Sequence, residues 1–131
     1  MITKKLTVFK ILIIDDSRIL RERLSTMLNE IDDVVIVGEA AYAAEGLDLV
    51  SSCNPDFVIL DISLPDVGGM EVLKEIKKKY TDLRVAILTN YPYPSYRTRC
   101  KELGADYFFD KSAEFMNMKG ILMGLVSETC Q

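Results

Sequence analysis

The chain has 131 residues, 49% of them hydrophobic and 27% charged, a balance that fits one globular domain burying roughly two-thirds of the surface its unfolded form exposes. A net charge of −4 argues against a nucleic-acid surface, which needs clustered Lys and Arg. There is no histidine, which excludes Ser-His-Asp and Cys-His nucleophile pairs and removes the commonest zinc ligand.

Lys4 and Lys5 precede an apolar stretch, but Lys10 interrupts it, Asp15-Asp16 ends it and no small-residue cleavage site follows, so export is not expected. No apolar run reaches the length of a membrane span. Cys53, Cys100 and Cys130 are odd in number and form no CxxC, the pattern of reduced thiols in a cytoplasmic protein.

Phe9 to Ile14 is a β-branched, apolar run and the first predicted strand, ending on Asp15-Asp16. Ser17 can cap the helix that follows, whose Leu20, Leu24, Met27, Leu28 and Ile31 make one buried stripe. Val34 to Val37 reads as a second strand, and Gly38-Glu39 leads to a weaker helix of Ala43, Ala44, Leu47 and Val50, stopped by Asn54-Pro55. Phe57 to Leu60 is apolar throughout, as in a strand buried on both faces, and delivers Asp61 at its carboxyl end. After Pro65 a turn at Asp66-Val67-Gly68-Gly69 opens a helix with Met70, Leu73, Ile76 and Tyr80 on one face, and Lys77-Lys78-Lys79 complements its negative end. Arg84 to Leu88 is the fourth strand and delivers Thr89. Pro92 and Pro94 interrupt regular structure before a helix through Tyr96, Cys100 and Leu103, with Gly104 as its cap. Tyr107-Phe108-Phe109 is the fifth strand, Lys111 lies just beyond it, and the last helix is expected from Ser112.

Strand and helix alternate five times over short connections, which implies a parallel sheet with helices on both faces. Asp15, Asp16, Asp61, Thr89 and Lys111 all sit at carboxyl ends of strands, the edge where open α/β sheets bind ligands. Carboxylates gathered there repel unless a cation intervenes, and Mg²⁺ suits such a set while leaving a position for a phosphoryl oxygen. A carboxylate can then attack phosphorus, with Lys111 and Thr89 supplying positive charge and a hydroxyl.

Asp15-Asp16-Ser17, the Asp61-Ile62-Ser63-Leu64-Pro65 motif with Gly69, Thr89, and Gly104-Ala105-Asp106 leading to Lys111 resemble the receiver domain of two-component response regulators. The resemblance spans residues 9–127 and implies a flavodoxin-like fold with strand order 2-1-3-4-5. It makes Asp61 the phosphoacceptor for a sensor histidine kinase or phosphotransfer protein. It also implies Asp16 as a direct Mg²⁺ ligand, Asp15 acting largely through water, and the Ser63 main-chain carbonyl completing the set. Lys111 would pair with the phosphoryl oxygens, and Thr89 with an aromatic would form the switch. Counting back three from Lys111 gives Phe108 where the family often has Tyr; Asn90 stands where Ala or Gly is common, and Ser112 replaces a frequent proline.

The expectation is therefore a single receiver domain over 1–131 with no output domain, signalling through protein contacts. Two readings stand beside it: a Mg²⁺-dependent phosphohydrolase with Asp61 as nucleophile, and a receiver-like adaptor that is never phosphorylated. Met116, Ile121 and Met123 lie off the last helix's core stripe of Phe115, Met118, Leu122 and Leu125. That helix and the one after Pro94, with its tyrosine-rich approach, are a candidate surface for a homodimer or downstream partner.

Overall fold

The computed structural model describes residues 8–129, so Lys4, Lys5 and Cys130 lie outside it. The elements are β1 (Phe9–Ile14), α1 (Arg18–Leu28), β2 (Val34–Ala40), α2 (Ala43–Cys53), β3 (Phe57–Asp61), α3 (Gly69–Lys79), β4 (Arg84–Thr89), α4 (Pro94–Glu102), β5 (Tyr107–Asp110) and α5 (Phe115–Thr129). Five parallel strands form one sheet in the order β2-β1-β3-β4-β5, the flavodoxin-like order that the motifs imply.

Residue alternation along each strand divides the core in two. Ile11 and Ile13, Phe57 and Ile59, Ala86 and Leu88, and Phe109 face α1 and α5. Their neighbours Leu12 and Ile14, Val58 and Leu60, and Val85 and Ile87 face α2, α3 and α4. The central strand β3 is buried at every residue, which is why it has no polar alternation. Each of its large side chains contributes about 1.5–3 kcal/mol relative to exposure.

Four local expectations are corrected. The second strand runs on through Gly38 and Glu39 to Ala40, because a bulge at Val37 absorbs one residue and Leu12 then pairs with Gly38. Ala44 faces solvent, and Gly46 is the residue of α2 that meets the sheet. Tyr80 is the exposed C-cap of α3, whose buried face is completed by Val72. The last helix begins at Phe115 rather than Ser112, since the Ser112 N–H and hydroxyl both donate to Asp110 Oδ1 and hold a turn there instead.

Pro94 is not a breaker but the first residue of α4, where its missing N–H costs nothing. Ser17 does cap α1, its hydroxyl accepting from Leu20 N–H at 3.2 Å. Lys77 does more than balance a dipole: its ammonium donates to Leu83 O at 2.7 Å and pairs with Asp106 at 2.8 Å, tying α3 to the approach of β5. In α5, Ile121 packs on the core, whereas Met116 and Met123 are exposed. Cys53 and Cys100 are free thiols, and burial pushes the Cys100 thiol up to about 11, so it acts as a small apolar side chain.

Gly46 brings α2 so close to β1 that an added Cβ would lie 2.7 Å from Ile14 Cδ1. Ile14 is fully buried and cannot retreat. The overpacking, about 1–3 kcal/mol, outweighs the helix-propensity gain of Ala, about 1 kcal/mol. Gly46→Ala is therefore expected to lower stability in urea denaturation by about 1 kcal/mol, and Ile14→Val in the same chain to recover part of that loss; additive losses would contradict the close approach.

Candidate functional site

Backbone pairing places the polar residues. Asp15 N–H donates to Ala40 O at 2.9 Å as the chain leaves β1. Asp61 is the last residue of β3 and pairs with Leu88, one residue before Thr89. Lys111 N–H donates to Thr89 O at 2.8 Å, which sets the lysine beside the end of β4. Asp15, Asp16 and Asp61 each bring a carboxylate oxygen into a group whose atoms lie within 4.8 Å of one another.

Asp15 and Asp61 are buried and Asp16 is exposed. Asp15 Oδ1 accepts from Ser17 N–H at 2.8 Å, and Asp61 Oδ1 from Ser63 N–H at 3.0 Å. The Lys111 ammonium sits 2.9 Å from Asp15 Oδ2 and 3.4 Å from Asp61 Oδ2, bridging the two. The contact with Asp15 Oδ2 is a charge contact without hydrogen-bond alignment, so that buried oxygen has no hydrogen-bond partner.

Burial, followed by the negative charge of Asp15, raises the Asp61 carboxyl from 3.8 to about 6. The Ser63 N–H and Lys111 oppose the shift, and a side-chain hydrogen bond with Asp16 adds to it. Three clustered carboxylates, one with a buried oxygen that makes no hydrogen bond, are a donor set that fits a hard divalent cation with oxygen ligands.

Thr89 is fully buried, and its Oγ1 accepts from Tyr91 N–H at 2.9 Å, so the hydroxyl is engaged with the outgoing loop. Phe108 packs on the side of α4, with the Arg97 guanidinium 4.6 Å from its ring centre and donating to its carbonyl at 3.3 Å. Tyr107 stacks with Phe57 and Phe109 on the other face. Asn90 is exposed and, with Ser17, Arg23, Lys111 and Ser112, lines a cleft of about 230 Å³ beside the lysine. Gly69 lies directly under the site: a Cβ there would fall 2.1 Å from the Asp61 carbonyl oxygen, so no larger residue fits without moving the Asp61 backbone.

Two supporting residues were not singled out from the sequence. Arg21 donates from Nη1 to the Asp15 carbonyl and pairs through Nε with Glu39 at 3.2 Å, linking α1, the end of β1 and β2. Asp66 receives the N–H groups of Ala43 and Ala44 at 2.8 and 3.3 Å. Its sequence signal is indirect: Tyr42, at the head of α2, brings no capping side chain.

A family model for the response regulator receiver domain matches residues 11–122. The chain belongs to the response regulator receiver domain family. Among curated relatives of this receiver domain, the transcriptional regulatory protein YdfI of Bacillus subtilis is 33% identical over 89% of this chain and 56% of its own length. The response regulator GacA of Pseudomonas syringae is 29% identical over 83% of this chain and 51% of its own. The chain thus spans about half the length of these relatives. Among solved structures, a LuxR-family two-component response regulator from Aurantimonas is 25% identical with a TM-score of 0.85, covering 93% of this chain and 87% of its own. The response regulator domain of Thermotoga maritima CheB is 26% identical with a TM-score of 0.80, covering 92% and 95%.

The raised carboxyl of Asp61 has a consequence for stability. Because the folded state binds this proton more tightly than the unfolded chain, ionising Asp61 weakens the fold: the penalty is absent below pH 4, develops through about pH 6 and is complete above it. In chelator-containing buffer, Asp61→Asn is expected to be more stable than wild type at pH 8, on the order of 2 kcal/mol. The advantage should disappear near pH 4 in the same denaturation assay; an equal difference at both pH values would refute it.

Proposed function

We propose that this receiver domain accepts a phosphoryl group on Asp61 and passes the change on through protein contacts. The observation that carries this reading is the Lys111 ammonium bridging buried Asp15 and Asp61. A cation placed there can follow the charge from the free carboxylate onto a phosphoryl oxygen without crossing solvent. We take residues 9–127 as the unit that does so.

A sensor histidine kinase or phosphotransfer protein is the proposed donor, since the chain has no histidine of its own. An Asp61 carboxylate oxygen attacks phosphorus, a P–O bond forms, and the P–N bond to the donor imidazole breaks, its electron pair leaving on the imidazole. Asp15, Asp16, Asp61 and the Ser63 carbonyl would hold Mg²⁺, which supplies charge neutralisation for the transferring phosphoryl oxygens. Lys111 pairs with those oxygens. Thr89 exchanges its bond to Tyr91 N–H for one to the phosphoryl group, and Phe108 leaves the Arg97 guanidinium as the ring turns inward.

Switching is favoured over turnover because the second position after Asp61 is Ser63, whose N–H is spent on the Asp61 carboxylate, and no acid stands there to serve a second step. Among the described residues no helix is long and apolar enough to cross a membrane, and we place the receiver in the cytoplasm with its donor. For output, the exposed Tyr91, Tyr93 and Tyr96 before and on α4, with Met116 and Met123 on α5, are the proposed contact surface.

Incubation with Mg²⁺ and acetyl phosphate, followed by intact mass, is expected to give one phosphoryl adduct on wild type and none on Asp61→Asn. Multiple turnover of small phosphoesters would favour a hydrolase, and no adduct with any donor would favour an adaptor. Lys111→Ala is expected to lose about 3 kcal/mol without metal, because two buried carboxylates lose their shared counter-charge. It should still bind Mg²⁺ but show no phosphorylation-dependent change in tyrosine fluorescence; a normal change would remove Lys111 from the switch.

A further inference from the structure

We propose that Asp66 is a positioning residue that couples the N-terminus of α2 to the metal and phosphoryl site, a role that rests on reading Asp61 as the phosphoacceptor. A helix leaves its first N–H groups without intrahelical partners. In α2 the capping position is Tyr42, whose side chain makes no capping bond. The missing cap comes from a different loop: Asp66 Oδ1 accepts from Ala43 N–H at 2.8 Å and Oδ2 from Ala44 N–H at 3.3 Å. A carboxylate at this end also meets the positive pole of the helix. Its ionised form is favoured, chiefly by the Ala43 bond, and the carboxyl lies below the ordinary carboxylate range.

The same loop carries the site. Asp66 follows Ser63, the proposed carbonyl ligand, across Leu64, which is buried, and Pro65, whose ring fixes φ. At its start the Ser63 N–H is bound to Asp61 Oδ1 at 3.0 Å, and at its end Gly69 N–H donates to Ile62 O at 2.9 Å. Between those ties Ser63, Pro65, Asp66 and Val67 face solvent, and the Asp66 carboxylate anchors this outer half to a neighbouring helix. A displacement of the loop by metal or phosphoryl group must strain or shift the two bonds to α2, and the reverse holds by linkage. Tyr42 is 54% exposed at the outer end of this route, so a protein touching the head of α2 has access to it.

The test compares wild type, Asp66→Ala and Asp66→Asn in the full chain by Mg²⁺ titration calorimetry, acetyl phosphate labelling, thermal unfolding and amide hydrogen exchange. Asp66→Ala is expected to weaken Mg²⁺ binding by about ten-fold, as for loss of a residue supporting a metal ligand, and to slow labelling at low Mg²⁺ but not at saturating Mg²⁺. Asp66→Asn keeps one acceptor oxygen and should lose clearly less. In wild type, Mg²⁺ should alter exchange at Ala43 and Ala44, and in Asp66→Ala it should not.

A lower melting temperature with unchanged Mg²⁺ affinity and labelling would reduce Asp66 to a helix cap and overturn the proposal. Equal losses in both variants would trace the effect to charge, not anchoring, and would overturn it too. If Asp66→Ala does not fold, Asp66→Asn and the wild-type exchange data decide in the same way. Failure of wild type itself to bind Mg²⁺ or to be labelled would overturn the reading of Asp61 along with this one.

Discussion

Everything at the functional edge depends on concentrated negative charge being kept in a partly dry place. Two buried carboxylates, Asp15 and Asp61, share one ammonium, and an exposed third, Asp16, stands beside them. Carboxylates so near each other, removed from water, are unstable as anions unless compensated. The sheet supplies the compensation through register: β1, β3 and β4 end together, and the bond from Lys111 N–H to Thr89 O brings the lysine back over the acids. The compensation is incomplete: Asp15 Oδ2 has the Lys111 charge but no hydrogen bond, and the Asp61 carboxyl is raised.

The two faces of the sheet are not equally firm. Both faces of β3 are covered, Phe57 and Ile59 on one side and Val58 and Leu60 on the other, and α1 contributes Leu20, Leu24, Met27 and Leu28 to the core. By contrast α4 buries only Cys100, and its N-cap, Tyr93, makes no side-chain capping bond. What holds α4 near β5 is partly polar: Arg97 reaches Phe108 and, at 3.3 Å, Glu114. An element with so little buried apolar surface lies at the low end of local stability. It lies next to Phe108 and follows the loop bound to Thr89, so the rearrangement proposed for these two residues would meet little resistance there.

The sheet, and the gathering of Asp15, Asp16, Asp61 and Lys111 at one edge of it, were legible in the sequence because each is carried by local signals. An all-apolar run ending on Asp61 needs no partner to be read as a central strand, and repeated strand–helix alternation fixes which ends share an edge. Errors arose where a local signal was outweighed. Gly38-Glu39 looks like a break, but the bulge at Val37 lets β2 continue alongside β1. Ser112 looks like a helix cap, but Asp110 takes its hydrogen bonds first. Arg21 and Asp66 were invisible as supporting residues for another reason: each ties together different elements, Arg21 the end of β1 and Glu39 of β2, Asp66 amides more than twenty positions earlier, and no periodicity encodes that.

The tyrosines give the molecule an optical property. The chain has no tryptophan and six tyrosines, of which Tyr91, Tyr93 and Tyr96 form one cluster, the first two stacked with ring centres 6.3 Å apart and the last two edge to face at 5.3 Å. That cluster starts at the residue whose N–H is bound to Thr89 Oγ1. Half of the tyrosines therefore sit at the head of α4, one hydrogen bond from the buried threonine. The near-ultraviolet signal of the unlabelled protein is weighted toward the region expected to move, and extrinsic dyes are not needed to watch it.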